Sequence, residues 1–103
     1  MDRARWKTLR ARGWREGSVA EFLHLSPEEA ALIELKLQMG QAVRNLRLQQ
    51  GLTQVELAER LGSSQSRVAK LETGDPSVSM DLMTRSLLAL GATKKDVARA
   101  MVS

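Results

Sequence analysis

Between Thr53 and Gly74 the chain reads TQVELAERLGSSQSRVAKLETG, and no other stretch restricts the fold as tightly. Val55, Leu57, Ala58 and Leu61 recur at helical spacing, and Val68 and Leu71 do so again with Ala69 between them. Thr53 is placed to cap the first of these segments, and Glu56, three residues on, can complete a capping box. Gly62 ends it, because a residue without Cβ enters the left-handed conformation at little cost. Ser63 or Ser64 can cap the second segment almost at once. Two helices joined by so few residues cannot lie antiparallel and must cross steeply, and Ala58 is the small residue that allows the close approach.

That arrangement is a helix-turn-helix, and the stretch resembles the helix-turn-helix of the lambdoid-phage repressor and Cro superfamily, the XRE family. The matching positions are Gln54 at the start of the first helix, Ala58 at the crossing and Gly62 in the turn. Val68 and Leu71 match the apolar anchors of the second helix, Glu72 and Gly74 its end, and Gly51-Leu52-Thr53-Gln54 the lead-in. The resemblance extends over roughly residues 37–102. It implies an all-α, lambda-repressor-like DNA-binding domain of five helices, here with an N-terminal helical extension. We expect residues 1–25 to form a basic, Trp-containing extension and 26–103 the DNA-binding domain.

Flanking signals agree with an all-helical chain. Ser26-Pro27-Glu28-Glu29 is a helix start: a cap, a proline suited to the first position, and two acids at the positive end of the dipole. Ala30, Ile33, Leu37, Met39, Val43 and Leu46 then continue a helical pattern to Gln50-Gly51, a helix of about 24 residues unless Gly40 breaks it. Asp75-Pro76-Ser77 reads as a loop. Ser79 caps a helix from Met80 to about Leu90, with Leu82, Met83, Leu87, Leu88 and Leu90 as its apolar face and Gly91 as its end. Thr93 opens a last helix with Val97, Ala98 and Met101 apolar and Lys94, Lys95 and Arg99 exposed. Towards the start, a short helix over about 3–12 would place Trp6 and Leu9 on one side, and Ser18 could cap a turn carrying Val19, Phe22 and Leu23. Two tryptophans in such a segment favour packing on this domain, a dimer mate or another protein.

Composition narrows the function. With no cysteine, one histidine (His24, read as structural) and no Gly-rich phosphate loop, there is little material for a nucleophile or a metal site. We expect neither catalysis nor a cofactor. No run reaches the roughly 18 apolar residues of a membrane span, and the charged start does not suit a signal peptide, so a cytoplasmic protein, nucleoid-associated when bound to DNA, is expected. The formal charge of +4 is unevenly placed. Residues 1–15 hold six basic residues against one acid, net +5, and the rest hold ten against eleven, net −1. A DNA-binding body of that kind must gather its positive charge on one face.

In a helix-turn-helix the N-terminal part of the second helix enters the major groove. Those positions here are Ser64, Gln65, Ser66 and Arg67, with Lys70 a turn further on. Gln65 suits adenine; Arg67 suits guanine or a phosphate; the serines can address either; and Lys70 could reach a base or the backbone. Gln54 starts the preceding helix, where free N–H groups favour phosphate. The resemblance implies that Gln54 binds a phosphate and braces Gln65, that Thr53 and Thr73 touch the backbone, and that Arg47 and Glu72 form a largely buried salt bridge. Asp75 departs from relatives that carry basic residues in its loop. One such motif reads few base pairs, so a homodimer on a palindromic double-stranded DNA operator is expected, its recognition helices about 34 Å apart. Val97, Met101 and Val102 are the first choice of dimer interface. The plan also resembles HigA-type antitoxins, which implies a transcriptional repressor of its own operon with a RelE/HigB-type toxin partner, and Glu28, Glu29 and Glu34 could meet such a basic protein. A stand-alone XRE-family regulator and a protein-interaction module of the same fold stay open beside it.

Overall fold

The computed structural model describes residues 25–102. Expectations for the segment before them (the helix near 3–12, Trp6, Trp14, the turn at 19–23, His24) lie outside the described residues. Five helices and no strand occur among these: α1 (Pro27–Gln49), α2 (Gln54–Leu61), α3 (Gln65–Glu72), α4 (Met80–Ala89) and α5 (Lys94–Val102). The chain divides into two units between Glu34 and Leu35. Of the first, the start of α1 is described: Ser26 and Glu29 form a reciprocal cap, and Ala30 and Ala31 are buried. The second holds the remainder of α1 and the other four helices.

Capping chemistry sets most helix ends. Thr53 accepts from the Glu56 amide while the Glu56 carboxylate accepts from the Thr53 amide, the reciprocal box anticipated at α2. Ser64 and Ser79 cap α3 and α4 through their hydroxyls. Thr93 and Asp96 repeat the reciprocal arrangement at α5. Gly62 sits at φ 63°, the left-handed end of α2.

The core of the second unit gathers Met39 and Val43 of α1, Leu57, Ala58 and Leu61 of α2, Val68 and Leu71 of α3, and Met83, Leu87 and Leu90 of the α4 region. Val78 and Ala100 complete it. α2 packs on α3 and α4, and α4 on α5. Four positions differ from the apolar pattern in the sequence. Leu37, Val55 and Leu88 are 45%, 52% and 47% exposed, and Ala98 is exposed. In α4 the place on the buried face goes instead to Ser86, whose hydroxyl donates to the Leu82 carbonyl and so satisfies itself within the helix.

Gly40 does not break α1, which runs unbroken for 23 residues. Its role is steric. A Cβ at residue 40 would lie 3.0 Å from the Gly74 nitrogen and 3.2 Å from the Glu72 carbonyl oxygen, and closer still to the Leu71 carbonyl oxygen. Gly74, at φ 73°, answers from the other side, where a Cβ would lie 2.7 Å from Leu37 Cα. The end of α3 therefore meets the α1 backbone directly.

Two outcomes follow from this packing. Gly40→Ala gains about 1 kcal/mol of helix propensity but overpacks against immovable backbone. The second effect is larger, so thermal melts should show net destabilisation of about 1–2 kcal/mol, or several degrees in Tm. A variant that melted at or above the wild type would disprove the close contact. Separately, hydrogen bonds from the caps hold the Glu56 and Asp96 carboxyls below the ordinary carboxylate range. Depressed folded-state values contribute stability above the unfolded pKa that is lost as pH falls through the folded one. Glu56→Gln and Asp96→Asn should each flatten the acid limb of a stability–pH profile below about pH 4.5.

Candidate nucleic-acid interface

Arg47 and Glu72 form a buried ion pair, Nε to Oε2 at 2.5 Å and Nη2 to Oε1 at 2.9 Å, with side chains 9% and 3% exposed. The guanidinium also donates to the Leu52 carbonyl at 2.7 Å, tying α1 to the lead-in of α2 as well as to the end of α3. The Glu72 carboxylate holds the Arg47 pKa above its ordinary value, so the guanidinium is charged throughout.

From this pair a chain of hydrogen bonds leads to the surface. The Glu72 Oε1 atom accepts from Gln54 Nε2 at 3.1 Å, which orients the amide so that Gln54 Oε1 faces outward. Gln54 Oε1 then accepts from Gln65 Nε2 at 2.7 Å. The Gln54–Gln65 brace is thus present, and one amide hydrogen of Gln65 is committed to it. The Gln65 carbonyl oxygen and second amide hydrogen are left for another partner, the acceptor and donor that a bidentate contact to adenine requires.

The remaining candidates surround these. Ser64 Oγ accepts from the Arg67 amide and lies 3.2 Å from Ser66 Oγ. Ser64, Ser66, Arg67 and Lys70 share one cleft with Ser77 and Val78 of the α3–α4 loop. Thr53 is exposed and serves as the α2 cap, accepting through an oxygen whose hydroxyl proton can still be donated. Thr73 is exposed too, with its hydroxyl donating to the Lys70 carbonyl at 2.8 Å. Of the candidate dimer residues, Val97 and Met101 pack partly on the core while Val102 is 63% exposed.

Three positioning groups were not foreseen. Lys36 Nζ donates to the Pro76 carbonyl at 2.8 Å and fastens the loop to α1. Arg85 donates to the Leu61 carbonyl at 2.7 Å and fastens α4 to the turn of the motif. Ser77 binds Asp75 Oδ1 through both its amide and its hydroxyl, which holds the Asp75 carboxyl low with help from Lys70 and Lys36. An Asx turn at Asp75-Pro76-Ser77 was the one local signal available for any of the three; the others are contacts between residues far apart in sequence.

Compared with known families, residues 43–97, more than half of the chain, match the helix-turn-helix family model HTH_3. The chain belongs to this family. Its helix-turn-helix is α2 and α3 with the turn at Gly62, and the protein is a DNA-binding transcriptional regulator of the XRE type. No curated protein and no solved structure gave a match. Among the described residues no group of three or more His, Cys, Asp or Glu is placed to hold a metal ion, and no helix is long and apolar enough to cross a membrane.

The ion pair generates a stability prediction. Arg47→Met strands the Glu72 charge and should cost about 3–5 kcal/mol. Arg47→Met combined with Glu72→Leu should recover most of that loss in denaturant titrations, while freeing Gln54 from its anchor. Equal stability of Arg47→Met and wild type would remove the pair from its structural role.

Proposed function

We propose that this regulator is a sequence-specific repressor that binds a palindromic operator as a homodimer and is the antitoxin of a type II toxin–antitoxin pair, repressing its own operon. The observation that carries the DNA-reading part is the relay from Arg47–Glu72 through Gln54 to Gln65. A long polar side chain on a helix surface ordinarily loses rotamer entropy on binding, and pre-ordering it lowers that cost at the moment of contact. Gln65 and Ser66 are then the base readers. Thr53, Gln54 and Thr73 contact the backbone, joined by Ser64, Arg67 and Lys70 in base or backbone contacts. Dimerisation is proposed through α5, where Val102 is 63% exposed and Val97 and Met101 are only partly buried against the core.

The antitoxin part is supported by the resemblance in plan to HigA-type antitoxins and by the surface at the start of α1. There Glu28 and Glu29 are exposed beside Leu32, which is 43% exposed, a mixture of acid and apolar surface that fits a small basic protein of the RelE/HigB class. A stand-alone regulator is the alternative.

Selection of binding sites from random duplexes tests the reading helix. Gln65→Ala should relax base preference at one position of each half-site by about 1–3 kcal/mol; a uniform loss across all sequences would refute base reading by Gln65. Affinity purification of the full-length chain from its host tests the partner. A stoichiometric small basic protein with mRNA-cleaving activity, lost from Leu32→Asp, is expected of an antitoxin. Recovery of the chain with DNA alone would leave the stand-alone regulator.

A further inference from the structure

A pocket of about 520 Å³ opens between the second half of α1, the end of α4 and α5, and none of its lining residues belongs to the helix-turn-helix. Its volume lies within the roughly 300–1,000 Å³ usual for small-molecule sites. Leu46, Leu87, Leu90, Ala92 and Ala100 give it an apolar wall. No aromatic residue occurs between residues 25 and 102, so nothing on that wall stacks on a planar ring. The wall suits an aliphatic body.

The polar rim is dominated by donors. Gln41 Nε2 donates to Asn45 Oδ1 at 2.9 Å, which occupies the Asn45 oxygen and leaves both N–H groups of its amide for another acceptor. On the α5 side, Arg99 meets Asp96 through one nitrogen at 3.4 Å. That is longer than the roughly 2.7–2.9 Å of a charge-assisted hydrogen bond, and most of the guanidinium donors stay uncommitted. Asp96, the one acid among the described lining residues, is already engaged as the α5 cap, with Oδ2 accepting from the Thr93 amide at 2.8 Å. Gln50 Nε2 donates to the Leu90 carbonyl at 2.5 Å and ties the end of α1 to the end of α4 beside the pocket.

Donors from two helices beside an aliphatic wall, with the single acid engaged, complement a molecule that has an anionic head and an aliphatic tail. We propose that this pocket binds a small aliphatic carboxylate, its head held by Arg99 and Asn45 and its chain lying along Leu46, Leu87 and Leu90. The site shares no residue with the surfaces proposed above for DNA, the dimer mate or the toxin, and does not depend on them. A ligand held there joins α1 to α5, and binding to the folded chain alone stabilises the fold.

The test titrates octanoate into the isotope-labelled full-length chain and follows amide shifts and thermal melts. The expected result is saturation of one site with a dissociation constant of about 1 mM or below, shifts concentrated in residues 42–50, 87–92 and 96–100, and a raised Tm. Acetate, which lacks the tail, and octylammonium, which reverses the head charge, should each bind at least about tenfold more weakly. Arg99→Gln and Asn45→Asp should each weaken octanoate about tenfold or more. The second variant keeps the acceptor for Gln41 but replaces the donor with a like charge. Both side chains are exposed, so melts without octanoate should match the wild type. Unsaturable shifts spread over the chain, equal affinity for octanoate and octylammonium, or variants that bind octanoate as the wild type does would overturn the site. Shifts of the same residues on dilution of the chain alone would give the pocket to a second copy. Tighter binding of a peptide ending in a free leucine carboxylate would give it to a protein terminus. Either result overturns the small-acid assignment.

Discussion

The direct meeting of α1 with the end of α3 is the contact on which the rest of the interface depends. Gly40 and Gly74 let two backbones approach where any side chain would hold them apart. At that separation the Arg47 guanidinium reaches Glu72 in two-point geometry. The glycines contribute little energy themselves, since they bury no side chain and Gly40 costs helix propensity. What they determine is distance. A buried ion pair is weak evidence for stability, because desolvation offsets most of its Coulomb gain, but it tolerates little displacement before the penalty dominates. The glycines and the pair thus set the position of the recognition helix from two directions, one steric and one electrostatic.

The same pair reaches the surface through amides. Glu72 has two carboxylate oxygens, and the second hydrogen bond to Oε1 comes from Gln54. Hydrogen bonds to an ionised acceptor are shorter and stronger than neutral ones, so the charge orients Gln54 more firmly than another amide could. Gln54 in turn orients Gln65. Burial therefore decreases outward in steps, from a buried charge to a partly buried amide to an exposed one. The outermost member keeps one donor and one acceptor for a ligand.

Much of this was legible in the sequence, for a physical reason. Capping boxes, the left-handed glycine at 62 and the proline at the first position of α1 are local devices, complete within four or five residues, and each was found where the sequence put it. The Arg47–Glu72 pair and the Gln54–Gln65 brace, 25 and 11 residues apart, were legible only through resemblance to a family. Burial was less readable in the short helices. Eight residues make little more than two turns, so Val55 satisfies the apolar period of α2 yet stands 52% exposed. The period says which residues share a face; a neighbouring helix decides which part of the face is covered. Ser86 shows the converse, a polar residue buried because its own helix supplies an acceptor. Lys36 and Arg85 carry no signal at all, since each meets a backbone carbonyl, and every residue has one.

Charge placement closes the question of how a body with net −1 outside its first fifteen residues presents a face to DNA. Three acids of the helix-turn-helix and its following loop are engaged by hydrogen bonds within the fold. Glu72 is buried under Arg47. Glu56 is turned back onto the Thr53 amide at the start of α2. Asp75 is turned onto Ser77 and lies within the field of Lys36 and Lys70. Each carboxylate satisfies a structural donor and leaves its basic neighbours, Arg67 and Lys70 above all, facing outward. Local potential, not net charge, steers an anion within a Debye length of about 10 Å. Carboxylates near the helix-turn-helix are thus engaged within the fold, while Arg67 and Lys70 of α3 stay exposed, so that local placement and not the sum of charges sets the potential along this helix.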